Sequence, residues 1–326
     1  MPIDLLNLQP QQISKNLKGK YIMLYGLPGV GKTSLAAQFE KVLIAGFEMG
    51  TNALNNVYVA PVKTWDDWKK MVKDLCRKEE LKDKFHAIAI DTVDEAWNLC
   101  TKYVCSQANV ENLGDVGFGK LYAEASKEFR QTFRDLAYNG YGLIFTSHST
   151  EKEFTNEKGE KYNMIIPACP NRAFDIVNKM VDIIAYIREI SLEDKENDKT
   201  IRKRFMFFRD EVGDRFLVKS RYRYIKPYVE LSYDALINAI YEAIDTECAK
   251  TGGEASDAHN PYITLNFDEL MEEARMVWGT VVQNNKTGEA SAILEEVFGK
   301  PTKFSEILPE DVDKLNQVLI EVRAIL

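Results

Sequence analysis

A glycine-rich stretch near the N-terminus carries the clearest chemical signal in the sequence. Residues 26–33 read GLPGVGKT, which matches the pattern G-x-x-x-x-G-K-[ST] at every fixed position. Glycines allow backbone N–H groups to turn toward phosphate oxygens, and a helix N-terminus that follows adds partial positive charge. The pattern therefore predicts a loop that holds the phosphates of a nucleotide. An ordinary glycine turn between a strand and a helix is the structural alternative.

Each position of the loop has an expected role. Lys32 is expected to reach the β- and γ-phosphates, and the Thr33 hydroxyl is expected to ligate Mg²⁺. The other residues predicted to contact the nucleotide are Gly26, Pro28, Gly29, Val30, Gly31 and Ser34.

Two acidic residues follow apolar segments and could complete a hydrolytic site. Asp91 follows the apolar residues 87–90 and is the predicted second Mg²⁺ ligand, with a helix cap as the alternative. Glu48 follows residues 42–47 and is the predicted group that orients or deprotonates water. A surface acid in a turn is the alternative for Glu48, and Glu95 is a rival base.

Three further residues extend the candidate site. His148 ends an apolar segment and is expected either to sense the γ-phosphate or to cap a strand end by hydrogen bonding. Lys219 and Arg221 are two residues apart, so a strand would place them on one face. We expect them at the phosphate edge of the sheet, reaching the phosphates of a neighbouring subunit; a solvated edge strand is the alternative.

The elements that must position these residues alternate between strand and helix patterns. Apolar segments predict strands at 21–25, 42–47, 86–91, 143–148 and 182–187, and helical spacing predicts helices at 34–39, 65–84, 94–108, 120–138 and 232–250. Such alternation predicts an α/β fold with a mostly parallel sheet, helices on both faces and ligands at the carboxyl ends of the strands. An antiparallel hairpin is predicted from 202–208 and 215–219, and long loops at 109–120 and 149–171.

Length and composition set the domain prediction. The 326 residues are expected to form a core over 1–250, a linker over 251–260 and a small acidic helical module over 261–326. The sequence contains no run of 18 apolar residues, so no membrane span is expected. The N-terminus lacks the pattern of a secretory signal. With five scattered cysteines, these features predict a cytoplasmic protein without a membrane partner.

Charge is unevenly distributed along the chain. The net charge is −8, but residues 254–326 carry 14 acidic and 6 basic side chains, whereas residues 199–226 carry 10 basic and 3 acidic ones. Within the basic segment, RYRY at 221–224 interleaves cations and aromatic rings, which is compatible with stacking on single-stranded bases. A half-buried strand is the alternative interpretation.

The ordered set GLPGVGKT, GFEMG, AIAIDT, GFGKLY, LIFTSH and VKSRYRYIKP resembles the phage AAA-type nucleotide-binding protein family, which includes the Sak-type, RecA-like phage recombination proteins. The resemblance implies a P-loop NTPase with a RecA-like core that binds ATP and Mg²⁺ and acts on single-stranded DNA in annealing or recombination. It gives the residues the following roles: phosphate and Mg²⁺ binding for Lys32 and Thr33, Mg²⁺ binding for Asp91, catalytic base for Glu48 and sensor for His148.

The resemblance also implies self-assembly and partners. Lys219 and Arg221 resemble the K-x-R element that RecA-like hexameric helicases use across subunits, although Ser220 and Tyr222 depart from its usual neighbours. The acidic C-terminal module is expected to bind a single-strand DNA-binding protein or another replisome component, to compete with DNA for the basic segment, or to keep the protein soluble. The alternatives are an AAA-type helicase loader and a nucleotide-regulated binding module with negligible turnover. A small-molecule kinase is disfavoured because 149–171 lacks net positive charge.

Overall fold

The structure is a computed structural model, and it describes residues 12–17, 19–194, 199–210, 215–256, 267–308 and 311–325. The chain divides into two compact units, 1–260 and 261–326. Part of the predicted linker, 257–260, lies outside the described residues, as do the N-terminal stretch 1–11 and the predicted turn residues 211–214.

A ten-stranded sheet organises the first unit. Its strand order is β10-β8-β7-β1-β5-β4-β2-β3, with β6 paired to β5 and β9 paired to β7. The strands from β7 to β3 along this order are parallel, and β8 and β10 continue the sheet in antiparallel fashion. The strands are β1 (Tyr21–Gly26), β2 (Val42–Gly46), β3 (Tyr58–Pro61), β4 (Ala87–Asp91), β5 (Gly142–Thr155), β6 (Lys161–Pro167), β7 (Ile183–Asp194), β8 (Lys199–Phe207), β9 (Lys219–Ser220) and β10 (Tyr228–Glu230).

Helices cover both faces of this sheet, which confirms the predicted fold class. Along β1, Tyr21, Met23 and Tyr25 face one core, whereas Ile22 and Leu24 face the other, as the alternation of a strand requires. Helices α2, α4, α5 and α6 pack on the first face, and α1 and α7 pack on the second. The helices are α1 (Lys32–Ala36), α2 (Trp65–Arg77), α3 (Glu79–Lys84), α4 (Val93–Gln107), α5 (Lys120–Tyr138), α6 (Asn171–Met180) and α7 (Tyr233–Thr251).

Two helix predictions need correction. The helix predicted over 65–84 is two helices, because Lys78 between them has an extended backbone with φ −101° and ψ 108°. The helix predicted over 34–39 begins earlier, at Lys32, and ends at Ala36. Lys32 and Thr33 therefore stand in the first turn of α1, next to the glycine loop.

Two strands are longer than their apolar segments predict. The second half of β5 pairs with β6, so residues 149–155 and 161–167 form an antiparallel ribbon where a loop was predicted over 149–171. Likewise β7 continues beyond Ile187 and pairs with β8, forming a second ribbon of 188–194 with 199–205. The predicted hairpin of 202–208 with 215–219 is wrong, because β8 takes β7 and β10 as its partners.

The second unit is helical, as predicted. Its helices are α8 (Phe267–Gln283), α9 (Thr287–Phe298) and α10 (Val312–Ile325). They enclose a core of their own that includes Leu270, Ala274, Leu294, Leu315 and Val318. The helix start predicted at Pro309 and Glu310 lies outside the described residues. Among the helices described in either unit, none combines the length and apolar character that crossing a membrane requires.

Candidate functional site

The predicted site residues other than Lys219 and Arg221 meet at one edge of the sheet, which we call the carboxyl edge. The last residue of β1, Gly26, is level with His148 of β5 and Ile187 of β7. On the neighbouring strands, Gly46 at the end of β2 is level with Asp91 at the end of β4. The loop after β1 therefore leaves the sheet between the bases of the two ribbons, with the end of β4 one strand beyond β5.

Close packing requires glycine at two positions of the loop. A Cβ atom on Gly26 would lie 2.3 Å from the carbonyl oxygen of Ile187, a distance that no side chain tolerates. Gly31 has a φ of 108°, a left-handed conformation that L-residues with a side chain rarely adopt. The loop thus wraps tightly against β7 and leads directly into α1.

Lys32 is turned into the loop that precedes it. Its side chain is buried, and Nζ donates hydrogen bonds to the carbonyl oxygens of Gly26 at 2.9 Å and Leu27 at 3.0 Å. Burial lowers the pKa of Lys32, while the carboxylates of Asp91 and Glu48 act in the opposite direction. The cation is therefore held within the loop, where a phosphate chain would supply stronger, anionic acceptors.

Thr33 and Asp91 bring two oxygen ligands together beside Lys32. The Thr33 hydroxyl donates to the Asp91 carboxylate, with distances of 3.1 Å to Oδ2 and 3.3 Å to Oδ1. Thr146 on β5 donates a second hydrogen bond to Oδ1 of Asp91 at 2.5 Å, which fixes the carboxylate. Hydroxyl and carboxylate oxygens are the protein ligands that Mg²⁺ prefers, so this pair fits the ion.

Glu48 is held from two sides at the same edge. The Thr92 hydroxyl donates to Oε1 at 2.7 Å, and Nε2 of His148 lies 3.3 Å from Oε2. The backbone N–H of Glu48 also donates to the Asp91 carbonyl oxygen at 3.1 Å. Both carboxylate oxygens are thus oriented, and the segment that carries them is tied to the end of β4.

Asp94 joins this group from the first turn of α4. Its carboxylate accepts hydrogen bonds from the Ser147 hydroxyl at 2.7 Å and the His148 backbone N–H at 3.2 Å. Burial raises the pKa of Asp94, and these two hydrogen bonds act in the opposite direction. One ligand atom from each of Asp94, Glu48 and His148 lies within 4.8 Å of the others. The rival base Glu95 instead accepts a hydrogen bond from Asn98 on its own helix.

Sequence reasoning missed the hydroxyl groups that orient the acids. Thr92 holds Glu48 and Thr146 holds Asp91, but the stretches AIAIDT and LIFTSH that contain them predict no role for either threonine. Their position in the sequence could have identified them, since Thr92 directly follows Asp91 and Thr146 lies two residues before His148. A hydroxyl residue at the end of a buried strand is a candidate for orienting an adjacent carboxylate.

Lys219 and Arg221 do not join the site in this chain. The short strand β9 pairs Lys219 with Ile184 and Ser220 with Ile183, at the start of β7, whereas the loop is level with Ile187. The separation along β7 is about 10–13 Å at 3.3 Å per residue. The prediction that these cations stand at the phosphate edge is therefore wrong: they occupy the opposite edge.

Both cations are engaged within the first unit. Arg221 donates to Asp182 Oδ1 at 3.0 Å and to the Lys179 carbonyl oxygen at 2.8 Å. Lys219 donates to the carbonyl oxygen of Asn178. Burial raises the pKa of Asp182, and the Tyr21 N–H and Arg221 oppose this shift. These contacts attach Lys219 and Arg221 to the last turn of α6 and to Asp182, which in turn accepts a hydrogen bond from the start of β1.

The tyrosines of RYRY are also covered within the chain. Tyr222 and Tyr224 are half-buried, with the Lys20 ammonium 5.5 Å from the centre of the Tyr222 ring and the Lys250 ammonium 3.9 Å from that of Tyr224. These cation–π contacts disfavour a base-stacking surface. The alternative is correct in the burial of the two rings but wrong in the strand, because residues 221–224 follow the end of β9. The basic segment 199–226 is moreover divided, since β8 extends past the carboxyl edge and 219–226 follows the opposite edge.

We predict that Arg221→Ala lowers stability and leaves nucleotide turnover unchanged. The substitution removes the cation beside the buried Asp182 carboxylate, which is expected to lower the free energy of unfolding by about 1 kcal/mol. Urea denaturation measures this change. Arg223→Ala is the control, because that guanidinium is exposed beside Tyr224 and its loss should have little effect. A large fall in turnover at unchanged stability would contradict the structural role and favour action across subunits.

The chain is similar in sequence to a known domain family and to a prophage-derived protein. A family model described as an AAA domain matches residues 18–222, which include the glycine loop, Glu48, Asp91 and His148. The chain is also 29% identical over 335 residues to the SPbeta prophage-derived uncharacterized protein YorG of Bacillus subtilis (strain 168), and the alignment covers 100% of this chain and 99% of that protein. The match to the family model spans more than half of the chain, which therefore belongs to the AAA domain family of nucleotide-binding proteins.

Proposed function

We propose that this protein binds and hydrolyses ATP in the presence of Mg²⁺. The observation that carries the proposal is the hydrogen bond between Thr33 and Asp91 beside the buried Lys32. It places a hydroxyl, a carboxylate and a cation together at the end of a phosphate-binding loop. This is the combination that P-loop enzymes use to bind Mg²⁺ and the terminal phosphates.

The residues divide the work between binding and chemistry. Lys32 neutralises the β- and γ-phosphates, and Thr33 and Asp91 hold Mg²⁺, which supplies further positive charge when bound. Glu48 orients the attacking water and accepts its proton, and Thr92 and His148 keep the carboxylate in place for this role. We propose hydrolysis and not binding alone, because both carboxylate oxygens of Glu48 are oriented by neighbouring side chains.

His148 is proposed to communicate the state of the nucleotide. It contacts Glu48 through Nε2 and lies where β5 changes from the parallel sheet to the first ribbon. Its backbone also contacts Asp94, so one residue connects the two acids with the base of the ribbon. A change in the position of Glu48 would therefore reach the ribbon directly.

We further propose that hydrolysis serves phage DNA recombination or replication on single-stranded DNA. The resemblance to RecA-like phage proteins supports this, as does the prophage origin of a relative that matches along its full length. The basic segment 199–226, with 10 basic and 3 acidic side chains, supplies an excess of positive charge that would suit contacts with a phosphate backbone. Self-assembly, and a replisome or single-strand DNA-binding protein partner for the acidic second unit, belong to the same proposal.

A second candidate is an AAA-type helicase loader, which would act on a partner protein. The observation that favours it is a set of exposed apolar side chains, two of which neighbour site residues in sequence. Leu27 in the glycine loop is 62% exposed, Met49 beside Glu48 is 95% exposed, and Phe118 in the connection between α4 and α5 is fully exposed. A contiguous patch of exposed apolar side chains marks a protein-binding surface, and the loader proposal requires these side chains to contribute to such a patch.

We predict that Glu48→Gln abolishes most ATP turnover and preserves ATP binding. The amide keeps the size of the side chain but cannot accept a proton from water, so the rate should fall by about 100-fold or more. Steady-state phosphate release measures the rate, and calorimetry measures the affinity. Glu95→Gln is the matched control, because Glu95 contacts its own helix and its substitution should leave both quantities unchanged. Turnover in Glu48→Gln at the wild-type rate would refute the assignment of the base.

We predict that single-stranded DNA stimulates ATP turnover and that raising the salt concentration weakens this stimulation. The reason is that phosphate contacts release bound counterions, so the affinity for DNA falls steeply as salt rises. Phosphate release with and without single-stranded DNA at 50 and 200 mM salt measures the effect. Stimulation by a helicase and not by DNA would contradict the DNA proposal and favour the loader.

A further inference from the structure

Arg204 on β8 lies against the glycine loop of the same chain. Met206 is level with Ile187, which in turn is level with Gly26, so Arg204 lies about 7 Å past the end of β1. Met206 belongs to the core on the α1 face, and strand alternation puts Arg204 on that face as well. The position places its side chain beside the loop.

The contact with the loop is direct. Nη1 of Arg204 lies 3.4 Å from the carbonyl oxygen of Val30, and a Cβ atom on Gly31 would lie 3.2 Å from the same nitrogen. A distance of 3.4 Å is long for an N–H···O hydrogen bond, so little energy is lost when the guanidinium turns to another acceptor. Arg204 is therefore close enough to contact a ligand bound by the loop, and its present hydrogen bond to Val30 is weak.

Neighbouring cations on β8 are neutralised, whereas Arg204 lacks an acidic partner. Arg202 pairs with Glu189 at 3.5 Å, and Lys203 pairs with Glu230 at 2.9 Å. In the part of the chain that the structure describes, no carboxylate oxygen lies within 4.0 Å of the Arg204 guanidinium. A polyphosphate beside the loop would supply the missing negative charge, and arginine binds phosphate oxygens with paired N–H groups.

The strand order indicates which end of a bound nucleotide lies near Arg204. Thr33 and Asp91 mark the metal and the terminal phosphates, and Asp91 lies on the β4 side of β1. Arg204 reaches the loop from β8, on the opposite side of β1. A nucleotide that spans the loop would therefore present its α-phosphate and nucleoside on the side of Arg204.

We propose that Arg204 binds the α-phosphate of the nucleotide held by the same chain. This assignment rests on the proposed nucleotide-binding function and adds a residue that no loop motif contains. It gives the base of the second ribbon a direct contact with the ligand. Because ATP and ADP share the α-phosphate, Arg204 should contribute equally to binding both.

The test compares nucleotide affinities of Arg204→Ala, Arg204→Lys and Arg202→Ala by calorimetry. Arg202 is the matched control, because it lies two residues away on the same face and is paired with Glu189. We expect Arg204→Ala to weaken ATP and ADP binding by the same factor, about 10-fold or more. We expect Arg204→Lys to retain part of the affinity and Arg202→Ala to bind as the wild type does.

Sulfur substitution separates a phosphate contact from support of the loop. The wild-type protein should bind one diastereomer of ATPαS more weakly than the other, and Arg204→Ala should bind the two with equal affinity. The ratio of the affinities for ATP and ATPγS should be the same in Arg204→Ala and the wild type. The proposal is overturned if Arg204→Ala binds ATP and ADP with wild-type affinity, or if it loses affinity for ATP alone. It is also overturned if Arg204→Ala binds both nucleotides weakly but still distinguishes the two diastereomers of ATPαS. Failure of the wild-type protein to bind either nucleotide would refute the proposed function and the assignment with it.

Discussion

The hydrogen bond between Thr33 and Asp91 is the interaction on which the candidate site depends. The two residues are 58 positions apart in sequence and are carried by α1 and by the end of β4. They meet because β1, β5 and β4 lie side by side and parallel, with Gly26 of β1 level with His148 of β5 and Ile90 of β4 level with Phe145 of β5. A shift of one residue in either pairing would turn the end of β4 to the other face and separate the metal ligands.

The polar groups around this contact are supported by their neighbours. Thr146 orients Asp91, Thr92 and His148 orient Glu48, and Ser147 orients Asp94. Buried or half-buried carboxylates require such donors, because an unsatisfied charge in a protein interior is costly. The supports come from the ends of β4 and β5, so the same parallel pairing that brings Thr33 to Asp91 also orients the candidate base.

Those features of the fold and of the site that depend on local sequence pattern can be predicted from the sequence. The glycine loop, the acid after each apolar segment and the alternation of strands and helices predicted the fold class and the residues at the carboxyl edge. Lys219 and Arg221 were placed at the wrong edge because their two-residue spacing fixes a face but not the position along the partner strand. The ribbons were missed because β5 and β7 leave the buried sheet after His148 and Ile187, where polar side chains resemble those of a loop. Thr92, Thr146 and Arg204 depend on contacts between distant segments, which local pattern does not contain.

The central claim is that the carboxyl edge of the sheet holds Mg²⁺ and ATP through Lys32, Thr33 and Asp91. Calorimetric titration of ATP into the wild-type protein and the Lys32→Ala variant, each with Mg²⁺ and with EDTA, tests it most directly. We expect one ATP to bind per chain, binding to be weaker without Mg²⁺, and the affinity of Lys32→Ala for ATP to be about 10- to 100-fold lower. Equal affinity of the variant and the wild type, or binding that is indifferent to Mg²⁺, would contradict it.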